Sequence, residues 1–288
     1  MFRLLLLLSI FLNAKEYLFT LKSIGFLKPK DSFTKVDNSQ NVLQGIVSYK
    51  NRWIVSQAVG KKRLLFNLLD SDGLSIANRQ LNYASHGQDL SIEEINSTSL
   101  YLYTVGQKNR GIVRFKMSIS SKDKHKKLNI EKEREFLSKI KNTTVTLSED
   151  KQYLLTYNKG IIKIYKKEEL IKGVVRVISK FPILNEQKKI WFQGIVMYGD
   201  TIFTLSGKNT VFDKKILAIY TKKGLLLDKY YIEAKDITPR VYTSNDQWEL
   251  EGLTFRDQKI YTTINSFVDG KYSKELLEIL TLKKRDNR

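Results

Sequence analysis

Five polar residues occupy equivalent places in five similar segments of the chain, each at the start of a short apolar run. They are Gln44, Gln88, Thr143, Gln193 and Glu251. Glycine follows three of them, whereas Asp89 and Thr144 follow the other two. Amide and carboxyl groups that converge in this way can bind sugar hydroxyls or a phosphodiester, because both ligands need several directional hydrogen bonds. Alternatively, the amides satisfy one another and a column of water inside the fold.

A histidine and two tryptophans lie close to this set in the sequence. His86 is a candidate ligand contact or general base, or else a turn histidine bonded to a neighbouring strand. Trp191 and Trp248 shortly precede Gln193 and Glu251, which predicts that both lie in exposed loops where indole rings stack on sugars. Core packing is the alternative, and for Trp53, inside an apolar run, it is the better interpretation. The predicted ligand-binding residues are Gln44, His86, Gln88, Asp89, Trp191, Gln193, Trp248 and Glu251.

Catalytic and metal chemistry find little support in the sequence. The absence of cysteine excludes disulfides, zinc–thiolate sites and cysteine nucleophiles. No G-x-S-x-G motif accompanies His86, and one imidazole cannot make a zinc site. Calcium bound by Asp89, Glu251 and Glu93 is conceivable, although no D-x-D-x-D spacing supports it. We therefore predict no metal and no cofactor and favour a role without catalysis, with Glu251 and His86 as the alternative catalytic residues.

The segments that carry these residues consist of short alternating strands joined by tight turns. Four-stranded units that recur every ~40–50 residues, with longer intervals at loop insertions, are typical of a β-propeller. We predict an all-β protein that forms a single five-bladed β-propeller with four-stranded antiparallel blades. The first strand of each blade would line the central channel, and Gly45, Gly194 and Gly252 suit a crowded axis. Strand pattern alone does not separate this fold from a β-sandwich.

Two segments stand apart from the repeating units. The fifth unit ends after three strands, whereas a spare apolar strand covers Tyr17–Phe26 at the N-terminus. We predict that this N-terminal strand closes the last blade, which would hide the sheet edges of an open array. Residues 120–141 are predicted to form a basic, solvated insertion with a short helix over Glu131–Ile140.

The N-terminus has the features of an export signal. Arg3 precedes an apolar run, Leu4–Leu12, that is too short to span a bilayer, and Ala14 is a small residue suited to cleavage. We therefore predict a signal peptide over residues 1–14, a propeller over residues 15–288, and no transmembrane span. The mature protein is expected to be periplasmic or extracellular, and monomeric.

The chain carries 50 Lys and Arg against 30 Asp and Glu, a net charge of +20. Such charge favours anionic partners, and export argues against nucleic acid and for polymers of the cell envelope. A general bias towards lysine explains the charge equally well, because lysines occur in nearly every turn.

The stretch Ser85–Ser91 is the most specific motif in the chain. Together with Q-G-I at Gln44 and Gln193 and E-G-L at Glu251, it resembles one particular propeller family. That family joins helveticin J-type bacteriocins, teichoic acid biosynthesis protein C and the propeller domain of staphylococcal phage receptor-binding proteins. The likeness covers about residues 40–285. It implies a surface or secreted propeller, bacteriocin-like or glycan-recognising, that binds an anionic or amide-bearing cell-envelope glycan.

Two other functions are compatible with the sequence. The Q-G-I openings are also similar to the Q-G-L and E-G-L openings of five-bladed glutaminyl cyclotransferases, although the acid that follows in that family is replaced here by Ile46, Val47 and Ser48. W-E-L-E-G-L around Glu251 is similar to the E-G-L of calcium-dependent propeller hydrolases of the esterase or lactonase type. The enzyme alternative would therefore use Glu251. A third hypothesis is a protein-interaction scaffold in which residues 120–141 contact the partner.

Overall fold

The computed structural model describes residues 17–30, 42–59, 63–83, 85–119, 126–141, 144–237 and 241–282. The predicted signal peptide, Thr143 and residues 120–125 lie outside these ranges. The described chain forms a five-bladed β-propeller built from five antiparallel sheets, as predicted. None of its helices has the length and apolar character needed to cross a bilayer.

Each blade is a meander whose first strand lies next to the channel. Blade 1 contains β2 (Val42–Tyr49), β3 (Arg52–Val59), β4 (Arg63–Leu69) and β5 (Ser75–Leu81), with the short β9 (Lys126–Lys127) added parallel to β5. Blade 2 contains β6 (Ser91–Asn96), β7 (Ser99–Val105), β8 (Arg110–Ser118) and β10 (Asn129–Lys141). Blade 3 contains β11 (Thr144–Leu147), β12 (Tyr153–Asn158), β13 (Ile161–Lys166) and β14 (Val177–Pro182).

The last two blades follow the same order from the channel outward. Blade 4 contains β15 (Phe192–Tyr198), β16 (Thr201–Ser206), β17 (Lys215–Thr221) and β18 (Leu226–Ile232). Blade 5 contains β19 (Gln247–Arg256), β20 (Lys259–Val268), β21 (Lys271–Leu282) and β1 (Tyr17–Phe26). Short helices in the connections cover Lys167–Ile171, Asn185–Lys188 and Ala234–Ile237.

The N-terminal strand closes the ring, as predicted. β1 pairs antiparallel with β21, from Tyr17 opposite Leu282 to Phe26 opposite Glu275. Its aromatic side chains also reach blade 4, because the ring of Phe19 stacks on that of Tyr230 with centroids 4.5 Å apart. The two ends of the described chain are therefore joined in one sheet.

The prediction of a helix over Glu131–Ile140 is wrong, because these residues belong to β10, the outer strand of blade 2. An outer strand has solvent on one side, so it tolerates a density of charge that conceals a strand pattern. The charges are partly paired within the sheet, where the guanidinium of Arg114 binds the carboxylate of Glu133. Only a few apolar side chains of the strand, including Ile130 and Phe136, reach the core.

The core is divided among the blade interfaces. In the described ranges, five clusters of buried apolar side chains occur, and each lies between two neighbouring blades. Alternate residues of one strand pack against the two neighbouring blades. In β3, Ile54 packs towards blade 2, whereas Trp53 and Val55 pack towards blade 5. This ring of clusters rules out the two-layer core of a sandwich and confirms Trp53 as a core residue.

Candidate functional site

The site lies on the face of the ring where the first strand of each blade begins, here called the entrance face. On this face, the side chain of Gln88 in blade 2 reaches across to blade 4. Its Nε2 donates to the carbonyl of Phe192 at 2.8 Å and to Oε1 of Gln193 at 2.9 Å. Gln193 in turn donates from Nε2 to Oε1 of Glu249 in blade 5 at 2.9 Å. The amides therefore converge as predicted, but mainly to satisfy one another.

Asp89 fastens four blades together. Its Oδ2 accepts the backbone N–H of Ile195 in blade 4 at 2.6 Å, and its Oδ1 accepts that of Leu253 in blade 5 at 2.9 Å. Its own N–H donates to the carbonyl of Gln44 in blade 1, and its carbonyl accepts the hydroxyl of Thr104 in blade 2. Burial raises the pKa of the Asp89 carboxyl well above its usual range, against the opposing effect of the two N–H donors. Asp89 is thus a structural tie, closed to ligand.

Three glycines make this close approach of strands feasible. A Cβ on Gly45 would lie 3.0 Å from the backbone of Asp89, and one on Gly194 would lie 2.8 Å from the nitrogen of Leu253. Gly252 adopts φ +70°, and its Cβ would lie 3.0 Å from the Cα of Gly45. The crowded axis predicted from these glycines is confirmed.

Two acidic side chains of β19 form a carboxyl pair beside the amides. Glu251 is almost wholly buried and hydrogen-bonds Glu249, which is half-buried. Burial raises the pKa of Glu251 well above its usual range, and the charge of Glu249 raises it further. Burial also raises the pKa of Glu249, whereas the hydrogen bond from Gln193 lowers it. Within the described ranges, Oε2 of Glu251 has no hydrogen-bond partner. A pair of this kind holds one proton between two carboxyls.

Trp248 does not lie in an exposed loop, contrary to the prediction. The sequence predicted that the strand begins at Glu251, but β19 begins at Gln247. Trp248 therefore lies within the strand, and its side chain points into the core between blades 4 and 5. The ammonium of Lys215 lies 5.3 Å from its ring centre and donates to the carbonyls of Thr210 and Asp213. Burial lowers the pKa of Lys215 to about 8.

The remaining predicted residues differ in their accessibility. Trp191 is exposed, as predicted, with 55% of its surface open to solvent. His86 is also exposed, and its backbone N–H donates to Oδ1 of Asn109 at 3.3 Å. Gln44 is buried, and its Nε2 donates to the adjacent carbonyl of Leu43. Of the eight predicted ligand contacts, only His86, Gln88 and Trp191 are open to solvent to an appreciable degree.

Two aromatic residues of the entrance face escaped prediction. Phe212, in the loop between β16 and β17, is 67% exposed, and Tyr272, at the start of β21, is 56% exposed. The ring of Tyr272 rests on that of Phe267, with centroids 4.2 Å apart. The signal that would have revealed them is an aromatic residue within or beside a polar hairpin turn, since such a ring has no core to enter.

A small pocket opens on the same face, between the start of β19 and the hairpin of β20 and β21. Its volume is about 60 Å³, and its lining includes Asn209, Gln247, Glu249, Tyr272 and Lys274. A space of this size holds on the order of four water molecules, so it admits a substituent of a ligand and not a whole sugar ring. Glu249 contacts both this pocket and the buried amides, and it therefore connects the surface to the channel wall.

Metal binding finds no geometric counterpart here. In the part of the chain that the structure describes, no group of three or more His, Cys, Asp or Glu side chains is placed to hold a metal ion. The alternative catalytic residues also differ sharply in surroundings, since Glu251 is buried in the ring and His86 is exposed. The entrance face thus carries a small polar pocket, lined in part by Tyr272, and two further exposed aromatic rings, those of Trp191 and Phe212.

These features define a five-bladed propeller with a buried polar frame and exposed aromatic rings on its entrance face. A family model described as the phage five-bladed β-propeller receptor-binding platform domain matches residues 42–266, and the chain belongs to that family. This confirms the phage branch of the resemblance. The fold is also similar to the tail fibre of Staphylococcus aureus phage P68, with a TM-score of 0.70 and 17% identity over 92% of this chain and 53% of the fibre.

The chain spans about half the length of that tail fibre. No curated protein sequence matches it.

Proposed function

We propose that this chain is an exported receptor-binding platform that recognises an anionic or amide-bearing glycan of a cell envelope through its entrance face. The observation that carries the proposal is the presence of three exposed aromatic rings, Trp191, Phe212 and Tyr272, on the face that holds the polar pocket. The description of the family as a receptor-binding platform supports binding at a cell surface.

The three exposed rings offer a ligand apolar area that is still open to solvent. Aromatic faces stack on the apolar faces of sugar rings, while the rims of those sugars present hydroxyls to neighbouring polar groups. Asn209, Gln247 and Lys274 line the pocket and supply such groups. The net charge of +20 favours a glycan that carries phosphate or carboxylate.

The structure changes which residues we assign to the ligand. Asp89, Gln193, Glu251, Trp248 and Gln44 are buried and hold the blades together, so they act as the frame of the site. His86, Gln88 and Trp191 remain as contacts from the predicted set. Phe212, Tyr272 and the pocket residues are added to them.

Several finer assignments accompany this proposal. Residues 1–14 act as the export signal, which places the mature chain in the periplasm or outside the cell and separates it from nucleic acid. The kinship with helveticin J-type bacteriocins and teichoic acid biosynthesis protein C stays a prediction, as does the monomeric state. A bacteriocin-like action on other cells would use the same face.

The test is binding of the purified mature chain to phosphate-rich envelope polysaccharide at low and high salt. Trp191→Ala and Tyr272→Ala are each expected to weaken binding about tenfold, or about 1.4 kcal/mol. Leu225→Ala is the control, because Leu225 is 64% exposed in the turn between β17 and β18, at the end of blade 4 opposite to the entrance face. Binding that disappears at high salt and ignores these variants would reduce the interaction to non-specific charge attraction.

A catalytic role is the second candidate, and the Glu249–Glu251 pair favours it. A buried acid with a raised pKa is suited to general acid–base catalysis, as in a cyclotransferase or a lactonase. Turnover of N-terminal glutaminyl peptides or lactones that is lost in Glu251→Gln, with folding intact, would establish it. Absence of turnover in the wild-type chain would leave the pair as a structural feature.

A further inference from the structure

One lysine of the entrance face is fully buried beneath a loop that carries an exposed aromatic ring. Lys215, the first residue of β17, has 0% of its surface open to solvent, whereas Phe212, three residues earlier, is 67% exposed. Residues 207–214 join β16 to β17 and are here called the Phe212 loop. Lysine is almost never buried to this extent unless its ammonium group has partners.

The partners of Lys215 belong to the Phe212 loop. Its Nζ donates to the carbonyl of Asp213 at 2.9 Å and to the carbonyl of Thr210, and these two residues flank the segment that carries Phe212. Its aliphatic stem lies against Gly207, where an added Cβ would be only 2.6 Å from the Cγ of Lys215. The side chain of Lys215 therefore contacts the start, the middle and the end of the loop.

The turn that presents Phe212 is also closed by two of its own side-chain bonds. Oγ1 of Thr210 donates to Oδ2 of Asp213 at 2.6 Å and accepts the backbone N–H of Asp213 at 3.2 Å. These bonds join the two residues whose carbonyls Lys215 binds. The turn and the ammonium group consequently form one hydrogen-bonded unit beneath the exposed ring.

The position of the Phe212 loop affects other parts of the entrance face. The backbone N–H of Gly207 donates to the carbonyl of Trp191 at 2.8 Å, and the carbonyl of Asn209 accepts the backbone N–H of Trp248 at 2.8 Å. Asn209 also lines the small pocket. A displacement of the loop would therefore move both Phe212 and a pocket residue, and it would strain the bond to Trp191.

Lys215 loses its charge within an accessible pH range. Burial lowers its pKa to about 8, against the opposing charges of Asp213 and Glu249. The indole ring of Trp248, whose centre is 5.3 Å from Nζ, also favours the charged form. A neutral amine donates weaker hydrogen bonds to carbonyls than an ammonium group does. Deprotonation between pH 7 and pH 9 should therefore loosen the Phe212 loop.

We propose that Lys215 is a positioning residue of the glycan site, which holds Phe212 and Asn209 in the conformation that binds the ligand. This inference rests on the proposed function, since it assigns Lys215 a role in that same site. A role in global stability alone fits less well, because both hydrogen-bond acceptors of the ammonium group lie in the loop. If only the charged form positions the loop for binding, the apparent Kd should rise about tenfold from pH 7 to pH 9.

Binding of phosphate-rich envelope polysaccharide between pH 7 and pH 9 tests the proposal. Lys215→Met keeps an apolar stem beside Trp248 but has no donor, so it should bind about tenfold more weakly than the wild type at pH 7 and change little up to pH 9. Lys214→Met is the matched control, because it removes the same charge from an exposed neighbouring residue that pairs with Glu233. This control should follow the pH profile of the wild type. The Glu249–Glu251 pair is present in all three proteins.

Double substitutions show whether Lys215 acts through the loop. Phe212→Ala should add little to the loss in Lys215→Met, whereas Tyr272→Ala, in the blade 5 hairpin, should add its full effect. Wild-type affinity that is equal at pH 7 and pH 9 overturns the proposal, and this result does not depend on whether Lys215→Met folds. Additive losses in Lys215→Met and Phe212→Ala also overturn it. Urea unfolding verifies that each variant is folded under the assay conditions.

Hydrogen exchange of the ligand-free chain separates this inference from the proposed function. At pH 7, residues 207–214 should exchange about tenfold more slowly in the wild type than in Lys215→Met, and this ratio should approach one at pH 9. Comparison at the same pH removes the intrinsic pH dependence of exchange. If the wild type does not bind the polysaccharide but shows this ratio, the proposed function fails and the hold of Lys215 on the loop stands. A ratio of one at pH 7 overturns the inference.

Discussion

Replacing Glu251 by glutamine should stabilise the protein at neutral pH and leave it unchanged in mild acid. Glu251 is buried beside Glu249, and its Oε2 has no hydrogen-bond partner among the described residues. Both carboxyls have pKa values raised above their usual range, principally by burial. Above the ordinary carboxyl pKa, the folded protein therefore binds more protons at this pair than the unfolded chain does. The contribution of the pair to the free energy of unfolding consequently decreases as the pH rises through this range.

The size of the effect follows from the protonation of the buried carboxyl. Above the ordinary carboxyl pKa the unfolded chain loses the proton that the folded protein retains, and this difference costs on the order of 1.4 kcal/mol for each pH unit until the raised pKa of the folded state is reached. A glutamine amide is neutral at every pH and can donate to Glu249. We expect Glu251→Gln to raise the free energy of unfolding by about 1–3 kcal/mol at pH 7.5 and by nearly nothing at pH 5. At pH 5 the wild-type pair already holds its proton and resembles the variant.

The assay is urea unfolding of both proteins between pH 5 and pH 7.5. The upper limit avoids Lys215, whose pKa is lowered by burial to about 8 and which would add its own pH dependence. Glu94→Gln is the control, because Glu94 is exposed on β6. A loss of stability in Glu251→Gln that is equal at both pH values would refute the reasoning, since it would mean that ionised Glu251 stabilises the ring.

Three further substitutions test the frame of the site. Asp89→Ala removes the acceptor of two buried backbone N–H groups and should lower the free energy of unfolding by about 2–4 kcal/mol; a loss below about 1 kcal/mol in denaturant titration would contradict its role as a tie. Gly252→Ala should cost about 2–4 kcal/mol because it adds contact with Gly45 to the strain of φ +70°. Gly270→Ala has the same φ but open space around it, so equal losses in the two variants would exclude crowding as a cause. Phe19→Ala removes the stack on Tyr230 and should cost about 1–2 kcal/mol while making β1 more sensitive to protease; unchanged proteolysis would show that ring closure does not depend on this stack.

Much of the fold could be predicted because each blade repeats the same pattern of short alternating strands joined by tight turns. Alternating apolar residues in β3 serve two interfaces, and the surplus strand Tyr17–Phe26 matches the strand that blade 5 lacks. β10 was missed because an outer strand can be almost as charged as a loop or an exposed helix.

The site was harder to predict than the fold. The convergence of Gln88, Gln193 and Asp89 follows from their shared position in the repeat, but a repeat does not reveal whether a polar group faces a ligand or a neighbouring blade. Trp248 shows the same limit, because the strand begins at Gln247 and not at the predicted Glu251, and this difference moves the ring from a loop into the core. Phe212 and Tyr272 lie outside the repeated motif, so only the folded chain brings them to the entrance face.

The most direct test of the account is a hydrogen-exchange footprint of the mature chain with and without phosphate-rich envelope polysaccharide. The account predicts protection in the entrance-face loops that carry Trp191, Phe212 and Tyr272, with little change in the turns at the opposite ends of the inner strands. Protection confined to those opposite turns, or to the rim of blades 3 and 4, would contradict the claim that the entrance face binds the glycan.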